Sequence, residues 1–143
     1  MIKLNYPAKK PGIKTEGGKE LIFCQIRKRW LVLTPEEWVR QNIILYLTEV
    51  MNYPASLMAV EKQLLLGDLK KRFDLVLYKN DLPFMLIECK EMGVSISQKT
   101  LDQLLRYNIN LQVAYFILTN GADCYGFTME DGELVNINAF PVF

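Results

Sequence analysis

The chain has 143 residues, half of them hydrophobic and 23% charged, which predicts one globular domain with a sizeable core. It has no histidine, which excludes histidine-dependent catalysis and histidine metal sites, and its three cysteines form no CxxC pair, which argues against a zinc cluster or a disulfide framework. No apolar run is long enough to span a membrane and residues 1–14 contain no signal-peptide core, so we expect a cytoplasmic protein without a membrane partner.

Charge is distributed unevenly along the sequence. The net charge is +1, but all 17 lysines and arginines lie in residues 1–106, which carry +5, whereas residues 107–143 carry four acidic residues and −4. Basic residues cluster at three places, Lys9–Lys10, Arg27–Arg29 and Lys70–Arg72. Two interpretations stay open: ordinary solvated charge, or a basic face that binds phosphate groups.

The N-terminal residues predict an irregular arm. Residues 1–20 contain two prolines, three glycines and five lysines, with a short strand expected only near Leu4–Tyr6. We expect a single domain in residues 21–143, which begins with a second short strand at Leu21–Ile26.

The segment TPEEWVRQNIILYLTEVMNY predicts the clearest helix. Thr34 is a good N-cap, Pro35 suits the first helical position, and Glu37 stands where a capping box needs it. The helix is expected to end before Asn52.

A helical wheel of this segment places charged residues among apolar ones. Apolar side chains recur at helical spacing from Val39 to Val50, and Glu36 and Arg40 fall on the same face, with Glu37 at its edge. Glu36 is therefore expected to face inward. It is either a functional carboxylate or the partner of Arg40 in a plain ion pair.

The rest of the chain alternates strands with one further helix. The patterns predict strands at 56–66, 73–78, 83–90, 113–120, 124–129 and 134–140, and a helix from Ser97 with Leu101, Leu104 and Leu105 inward. This order predicts an α/β domain with a mixed sheet.

The stretch RFDLVLYKNDLPFMLIECK predicts a hairpin with charged residues inside apolar strands. If Tyr78 faces Phe84, then Asp74 faces Glu88, and Lys90 shares the face of Glu88 because side chains alternate along a strand. Two facing carboxylates about 5 Å apart repel by roughly 3 kcal/mol at an effective dielectric near 20. A divalent cation would reverse the sign, and Mg²⁺ prefers such oxygen ligands. The alternative is structural: Glu88 pairs with Lys90, and Asp74 caps a turn.

These motifs carry a resemblance to a known group of enzymes. The pattern D-x13-E-C-K after a helix with an inward glutamate resembles the PD-(D/E)XK nuclease superfamily. The ordered series LTPEEWVRQ, RFDLVLY, LIECK, DQLLRYN and YFILTNG, in residues 21–127, is similar to the N-terminal nuclease domain of type I restriction enzyme R (HsdR-like) subunits. The resemblance implies a restriction-endonuclease-like mixed β-sheet flanked by α-helices, and Mg²⁺-dependent DNA cleavage, with Mn²⁺ able to substitute.

The resemblance also implies a role for individual residues. Asp74 and Glu88 would ligate the metal, with the backbone carbonyl of Cys89 as a further ligand. Lys90 would position the attacking water and stabilise the charge that develops on the phosphorus centre. Glu36 matches the helix glutamate that assists at the metal.

Two further positions complete the comparison. Gln103 matches the glutamine of the family's QxxxY helix, and Tyr107 shares its face. Phe73 stands where the motif has proline, which is a turn residue and not a ligand.

We therefore expect a metal-dependent DNA endonuclease formed by a solitary domain without the ATP-driven motor of the restriction subunits. DNA is the expected partner, and a separate motor or specificity subunit and a second copy of the chain are left open. Two alternatives remain. One is a non-catalytic nucleic-acid-binding or assembly module with the same fold, and the other is a plain interaction domain that docks through the apolar tail Ala139–Phe143.

Overall fold

The computed structural model describes the backbone of residues 1–143 and all side chains except those of residues 104, 105 and 107–110. The inward positions expected for Leu104 and Leu105 lie outside these described residues. The elements follow in the order β1 (Ile13–Glu16), β2 (Lys19–Cys24), β3 (Arg29–Val32), α1 (Pro35–Leu45), β4 (Met58–Leu66), β5 (Leu69–Lys79), β6 (Leu82–Cys89), α2 (Gln98–Leu111), β7 (Tyr115–Thr119), β8 (Cys124–Glu130) and β9 (Glu133–Ile137).

The strands form two sheets. Strands β4 to β9 lie in chain order in one mixed sheet, in which all neighbours are antiparallel except β6 and β7. Parallel neighbours need a crossover connection, which α2 provides. Strands β1, β2 and β3 form a separate antiparallel sheet, and β2 packs against α1. The predicted α/β architecture, a restriction-endonuclease-like mixed sheet with flanking helices, is confirmed.

The N-terminal segment contains more regular structure than its composition predicts. The strand expected at Leu4–Tyr6 is wrong, because those residues have no regular secondary structure. Instead β1 and β2 form a hairpin that turns through Gly17 and Gly18, both with positive φ. Glycine adopts this conformation at little cost, which suits a two-residue turn. The hairpin spans the boundary predicted between residues 20 and 21, and the division into arm and domain stays a prediction.

Helix α1 begins as its sequence predicts. The N–H of Glu37 donates to Oγ1 of Thr34 at 3.0 Å, so the expected N-cap is present. The α-helix itself ends at Leu45, and a π-helical turn carries the chain on through Tyr46–Val50. The predicted end before Asn52 therefore marks the end of the helical segment, not of α1.

The large sheet has a hydrophobic cluster on each face, as period-two alternation requires. One cluster packs α1 against the sheet through Ile43, Leu75 and Ile87. The other lies on the side of α2 and contains Val76 and Leu86. Burial of one such side chain stabilises the fold by about 1.5–3 kcal/mol, so both faces of β5 and β6 are held firmly. In the described residues, no helix is both long and apolar enough to cross a membrane.

Candidate active site

The β5–β6 hairpin has the predicted register in its middle. Leu75 pairs with Ile87 and Leu77 pairs with Met85, as expected. Tyr78, however, pairs with Pro83 and not with Phe84, so that part of the prediction is wrong.

The cause of the shift lies in the turn. Asn80 and Asp81 both have positive φ and form a two-residue turn that closes the pair Lys79–Leu82. This closing pair is one residue out of step with the rest of the ladder. The irregularity between Leu77 and Tyr78 absorbs the difference.

Strand β5 departs from strict alternation at Asp74. Phe73 packs in the cluster on the α2 side, whereas Leu75 packs in the cluster on the α1 side. On the neighbouring strand, Glu61 has φ +52° at the one position where the β4–β5 ladder lacks a pair. A local distortion of this kind re-aims a side chain. The distortion at Glu61 allows the carboxylate of Asp74 to reach α1.

Asp74 uses both carboxylate oxygens. Oδ1 lies 2.8 Å from Nη2 of Arg40, and Oδ2 accepts the backbone N–H of Cys89 at 2.8 Å. In the other direction, the N–H of Asp74 reaches Oε1 of Glu88 at 3.4 Å. The two strands are therefore joined at this point through their acidic side chains, as well as by their backbones.

Arg40 is the buried cation at the centre of this arrangement. Besides Asp74, its guanidinium contacts Glu37 at 2.8 Å, Glu36 at 3.2 Å and Glu61 at 3.7 Å. Burial alone would lower the pKa of Arg40, but the charges of Asp74 and Glu37 outweigh burial and raise it. The guanidinium is thus held charged by four carboxylates.

Arg27 supports the same cluster from the segment before β3. It contacts Glu61 at 2.8 Å and Glu37 at 3.2 Å. Among the side chains that the structure describes, the buried Nε atoms of Arg27 and Arg40 have no hydrogen-bond partner. Such atoms are costly, so the ion pairs around them must offset that cost.

Glu88 lies largely buried at the end of β6. Burial, followed by the charge of Asp74, raises its pKa to about 7, while the charges of Lys71 and Lys90 act in the opposite direction. The nearest ion-pair contact is weak, since Nζ of Lys71 stands 4.0 Å away. A carboxylate in this environment favours a proton or a bound cation near neutral pH.

Lys90 follows Glu88 at the exposed end of the strand. Its backbone N–H donates to the carbonyl of Thr119 at 2.8 Å, which fixes the main chain beside β7. Its positive charge lowers the pKa of both Glu88 and Glu36 against the dominant effect of burial.

Glu36 does not face inward as the helical wheel predicts. Half of its side chain is exposed, whereas the neighbouring Glu37 is buried. Glu36 occupies the first turn of α1, where it lines a cleft of about 580 Å³ that also contains Arg29, Arg40 and Glu91. We call this the β3–α1 cleft. Burial and the charge of Asp74 raise the pKa of Glu36, so it remains close to Asp74.

The role expected for Gln103 at the site stays a prediction. Gln103 is exposed on α2, and the contacts described for the chain include none between Gln103 and Asp74, Glu88 or Lys90. Tyr107, expected to share its helix face, lies outside the described side chains.

Sequence reasoning missed the pairing of Arg40 with Asp74. The wheel placed Arg40 on the apolar face and paired it with Glu36 alone. A buried arginine needs several acceptors, and that requirement was the available signal that further carboxylates converge there.

The oxygen donors fit a magnesium ion in their chemistry. Carboxylate and carbonyl oxygens are hard ligands of the kind that it binds. Asp74 lies in the middle of β5, and its contacts reach Glu88 and the N–H of Cys89 at the end of β6. Among the described residues, however, no group of three or more acidic or cysteine side chains is already disposed around one point. Arg40 takes up one oxygen of Asp74, so an ion would compete with a guanidinium.

Comparison with known families supplies an independent finding. A family model described as "Type I restriction enzyme R protein N terminus (HSDR_N)" matches residues 35–141, which include α1, β5, β6 and α2. No curated protein matches the chain significantly.

Proposed function

The chain belongs to the family of type I restriction enzyme R protein N termini, and we propose that it is a metal-dependent endonuclease that hydrolyses phosphodiester bonds in DNA. The single observation that carries the proposal is the arrangement at the end of the β5–β6 hairpin. Asp74 and Glu88 are linked across the two strands, and Lys90 follows Glu88 two residues on in the chain with an exposed side chain.

In this proposal Asp74, Glu88 and the carbonyl of Cys89 hold Mg²⁺, and Mn²⁺ can replace it. The ion would supply an acidified water and a positive charge for the phosphate. Glu36 assists from the cleft, and Gln103 would contribute only if α2 approaches the substrate.

Lys90 performs the part of the chemistry that needs no metal. Its ammonium group is exposed, so it can donate hydrogen bonds to an attacking water and to a phosphate oxygen. As negative charge builds up on the phosphate, this fixed positive charge stabilises it. The raised pKa of Glu88 favours protonation near neutral pH, so the ionised form needed for metal binding becomes more abundant as pH rises.

A cleavage assay tests the proposal. Supercoiled plasmid is incubated with the protein and Mg²⁺ or Mn²⁺, beside the Lys90→Ala variant. Conversion to open-circle or linear DNA by the parent and not by Lys90→Ala supports the proposal. Equal cleavage by the parent and by Lys90→Ala would reject the role of Lys90.

A second function, a nucleic-acid-binding or assembly module without catalysis, is favoured by one observation. Arg40 lies 2.8 Å from Asp74 and already supplies the positive charge that a metal would bring. Titration calorimetry separates the two functions: heat from Mg²⁺ binding supports the nuclease, and its absence together with DNA binding supports the module.

A further inference from the structure

The N-terminal part of the chain carries an excess of positive charge, and three arginines, Arg27, Arg29 and Arg40, line the β3–α1 cleft. Residues 1–32 contain eight lysines and arginines and two glutamates, a net charge of +6, so the rest of the chain carries −5 of the total of +1. These 32 residues include all of β1, β2 and β3. Within residues 13–32, which span this sheet, five basic and two acidic residues leave a net charge of +3, and Arg27, Lys28 and Arg29 stand together at the start of β3.

Strand β3 provides one wall of the cleft. Arg29 and Leu31 line it from β3, while Glu36 and Arg40 line it from α1. The paired strands explain this orientation: Arg29 pairs with Cys24, which is fully buried, so that face of the small sheet is the one turned toward the body of the protein. Arg29 itself is exposed at the edge of this face.

The other cations of the cleft are already engaged. Arg27 and Arg40 are paired with Glu37 and Glu61. In the part of the chain that the structure describes, Arg29 makes no ion pair. It is thus the cation in the cleft that can offer its full charge to a ligand.

The acidic residues of the cleft set the direction in which an anion would bind. Four glutamates line the cleft: Glu36, Glu37, Glu61 and Glu91. Glu37 and Glu61 are paired with Arg27 and Arg40, whereas Glu36 and Glu91 would repel a phosphate unless a cation lies between them. Arg29 would attract the phosphate toward β3, and its planar guanidinium can donate two parallel hydrogen bonds to phosphate oxygens. The adjacent Lys28 extends the positive charge along the turn before β3.

We propose that the β3–α1 cleft takes the sugar-phosphate backbone of DNA, with Arg29 as the phosphate-binding residue on the β3 wall. The inference rests on the proposed function and adds where the substrate lies. It assigns to the small sheet a role as the wall that holds the DNA strand beside Glu36, which lines the same cleft. The contact is to phosphate, so it should not depend on base sequence.

The test measures DNA binding without metal, so that cleavage plays no part. Fluorescence anisotropy is recorded in EDTA over a range of salt concentrations with a labelled 20-base-pair duplex and with the corresponding single strand. The variants are Arg29→Gln, Arg29→Lys, and Lys79→Gln as a control that removes one charge at the far end of β5. Thermal melting checks that all variants fold.

Arg29→Gln should bind the duplex roughly tenfold more weakly at low salt, the loss expected for one charged hydrogen-bonded contact. The slope of log affinity against log salt should fall by about 0.9 for the duplex or about 0.7 for the single strand. The affinity of Arg29→Lys for DNA should lie between those of the parent and Arg29→Gln, and the affinity of Lys79→Gln should equal that of the parent. The form that the parent binds more tightly identifies the substrate as duplex or single strand.

Two results would overturn the inference, and they are distinguishable. If the parent binds DNA and Arg29→Gln binds it equally well, the DNA lies elsewhere and the proposed endonuclease is unaffected. If the parent binds neither DNA form even at low salt, both the inference and the proposed function are wrong.

Discussion

Nη2 of Arg40 lies 2.8 Å from Oδ1 of Asp74, so a side chain from α1 neutralises the aspartate that the nuclease motif assigns to a metal. Both groups are largely buried, with side-chain exposures of 6% and 13%. The fold therefore contains its own cation at this position. Any divalent ion that binds Asp74 must share the carboxylate with Arg40 or displace it.

Replacing Arg40 should separate its contribution to stability from its competition with a divalent ion for Asp74. Arg40→Met leaves several carboxylates without their partner, so the free energy of unfolding should fall by about 3–5 kcal/mol. The same change removes the competitor at Asp74, so Mg²⁺ should raise the melting temperature more than it does in the parent. Thermal melting with and without Mg²⁺ measures both effects.

Arg27→Met is the matched control. Arg27 contacts Glu37 and Glu61 but makes no described ion pair with Asp74. The Arg27→Met substitution should lower stability without changing the increase in melting temperature that Mg²⁺ produces. An equal response to Mg²⁺ in Arg40→Met and in the parent would show that Arg40 does not compete with the ion.

The Asp74→Ala substitution should destabilise the protein. The repulsion expected between the facing carboxylates of Asp74 and Glu88 would by itself make removal of Asp74 neutral or favourable. The structure reverses this expectation, because Asp74 pairs with Arg40 and accepts the N–H of Cys89. We expect a loss of about 2–4 kcal/mol without metal, measured by denaturant unfolding. Stability equal to that of the parent would contradict the importance of the Arg40 pair.

Glu88 should make stability depend on pH. Its pKa is raised from 4.5 to about 7 in the folded protein, so the fold binds the proton more tightly than the unfolded chain does. The resulting stabilisation is complete below about pH 4.5 and is lost as pH rises through about 7. At 1.36 kcal/mol per pKa unit the loss is about 3 kcal/mol.

Comparison with Glu88→Gln isolates this contribution. The glutamine cannot ionise, so the difference in unfolding free energy between parent and variant should move against the parent from pH 5 to pH 8. Urea unfolding at several pH values measures it. Parallel pH profiles for the two proteins would exclude a raised pKa at Glu88.

Lys90→Ala should abolish DNA cleavage and leave the fold intact. Lys90 is exposed, so its truncation opens no cavity, and its backbone contact with Thr119 does not depend on the side chain. Removing a positive charge near the carboxylates should leave Mg²⁺ affinity unchanged or slightly higher. Plasmid cleavage and calorimetry measure the two quantities, with Lys99→Ala on α2 as the control for loss of an exposed lysine.

Local signals in the sequence predicted much of the fold. Thr34 and Pro35 marked the start of α1. The register expected for β5 and β6 is correct at Val76 and Leu86, although the pairing of Tyr78 with Phe84 from which it was deduced is wrong. These signals are short-range, since capping and strand pairing in a hairpin involve residues close in the chain. Strand β1 was missed because it is short and mostly exposed, so it has no hydrophobic pattern.

The site was less predictable, because long-range contacts decide its geometry. Period two placed Asp74 and Glu88 on one face, but the irregular position of Glu61 on β4 lets Asp74 turn toward α1. The outward turn of Glu36 likewise depends on where α1 meets the cleft. Neither effect has a signature within the segments concerned.

The only neighbouring strands of the large sheet that run parallel, β6 and β7, set the order in which the site can assemble during synthesis. Asp74 and Glu88 belong to one hairpin, so they can meet soon after residue 89 leaves the ribosome. Lys90 is anchored through the carbonyl of Thr119, on the far side of the α2 crossover. A nascent chain therefore gathers its carboxylates before its lysine is fixed, so the proposed site is completed only when β7 joins the sheet.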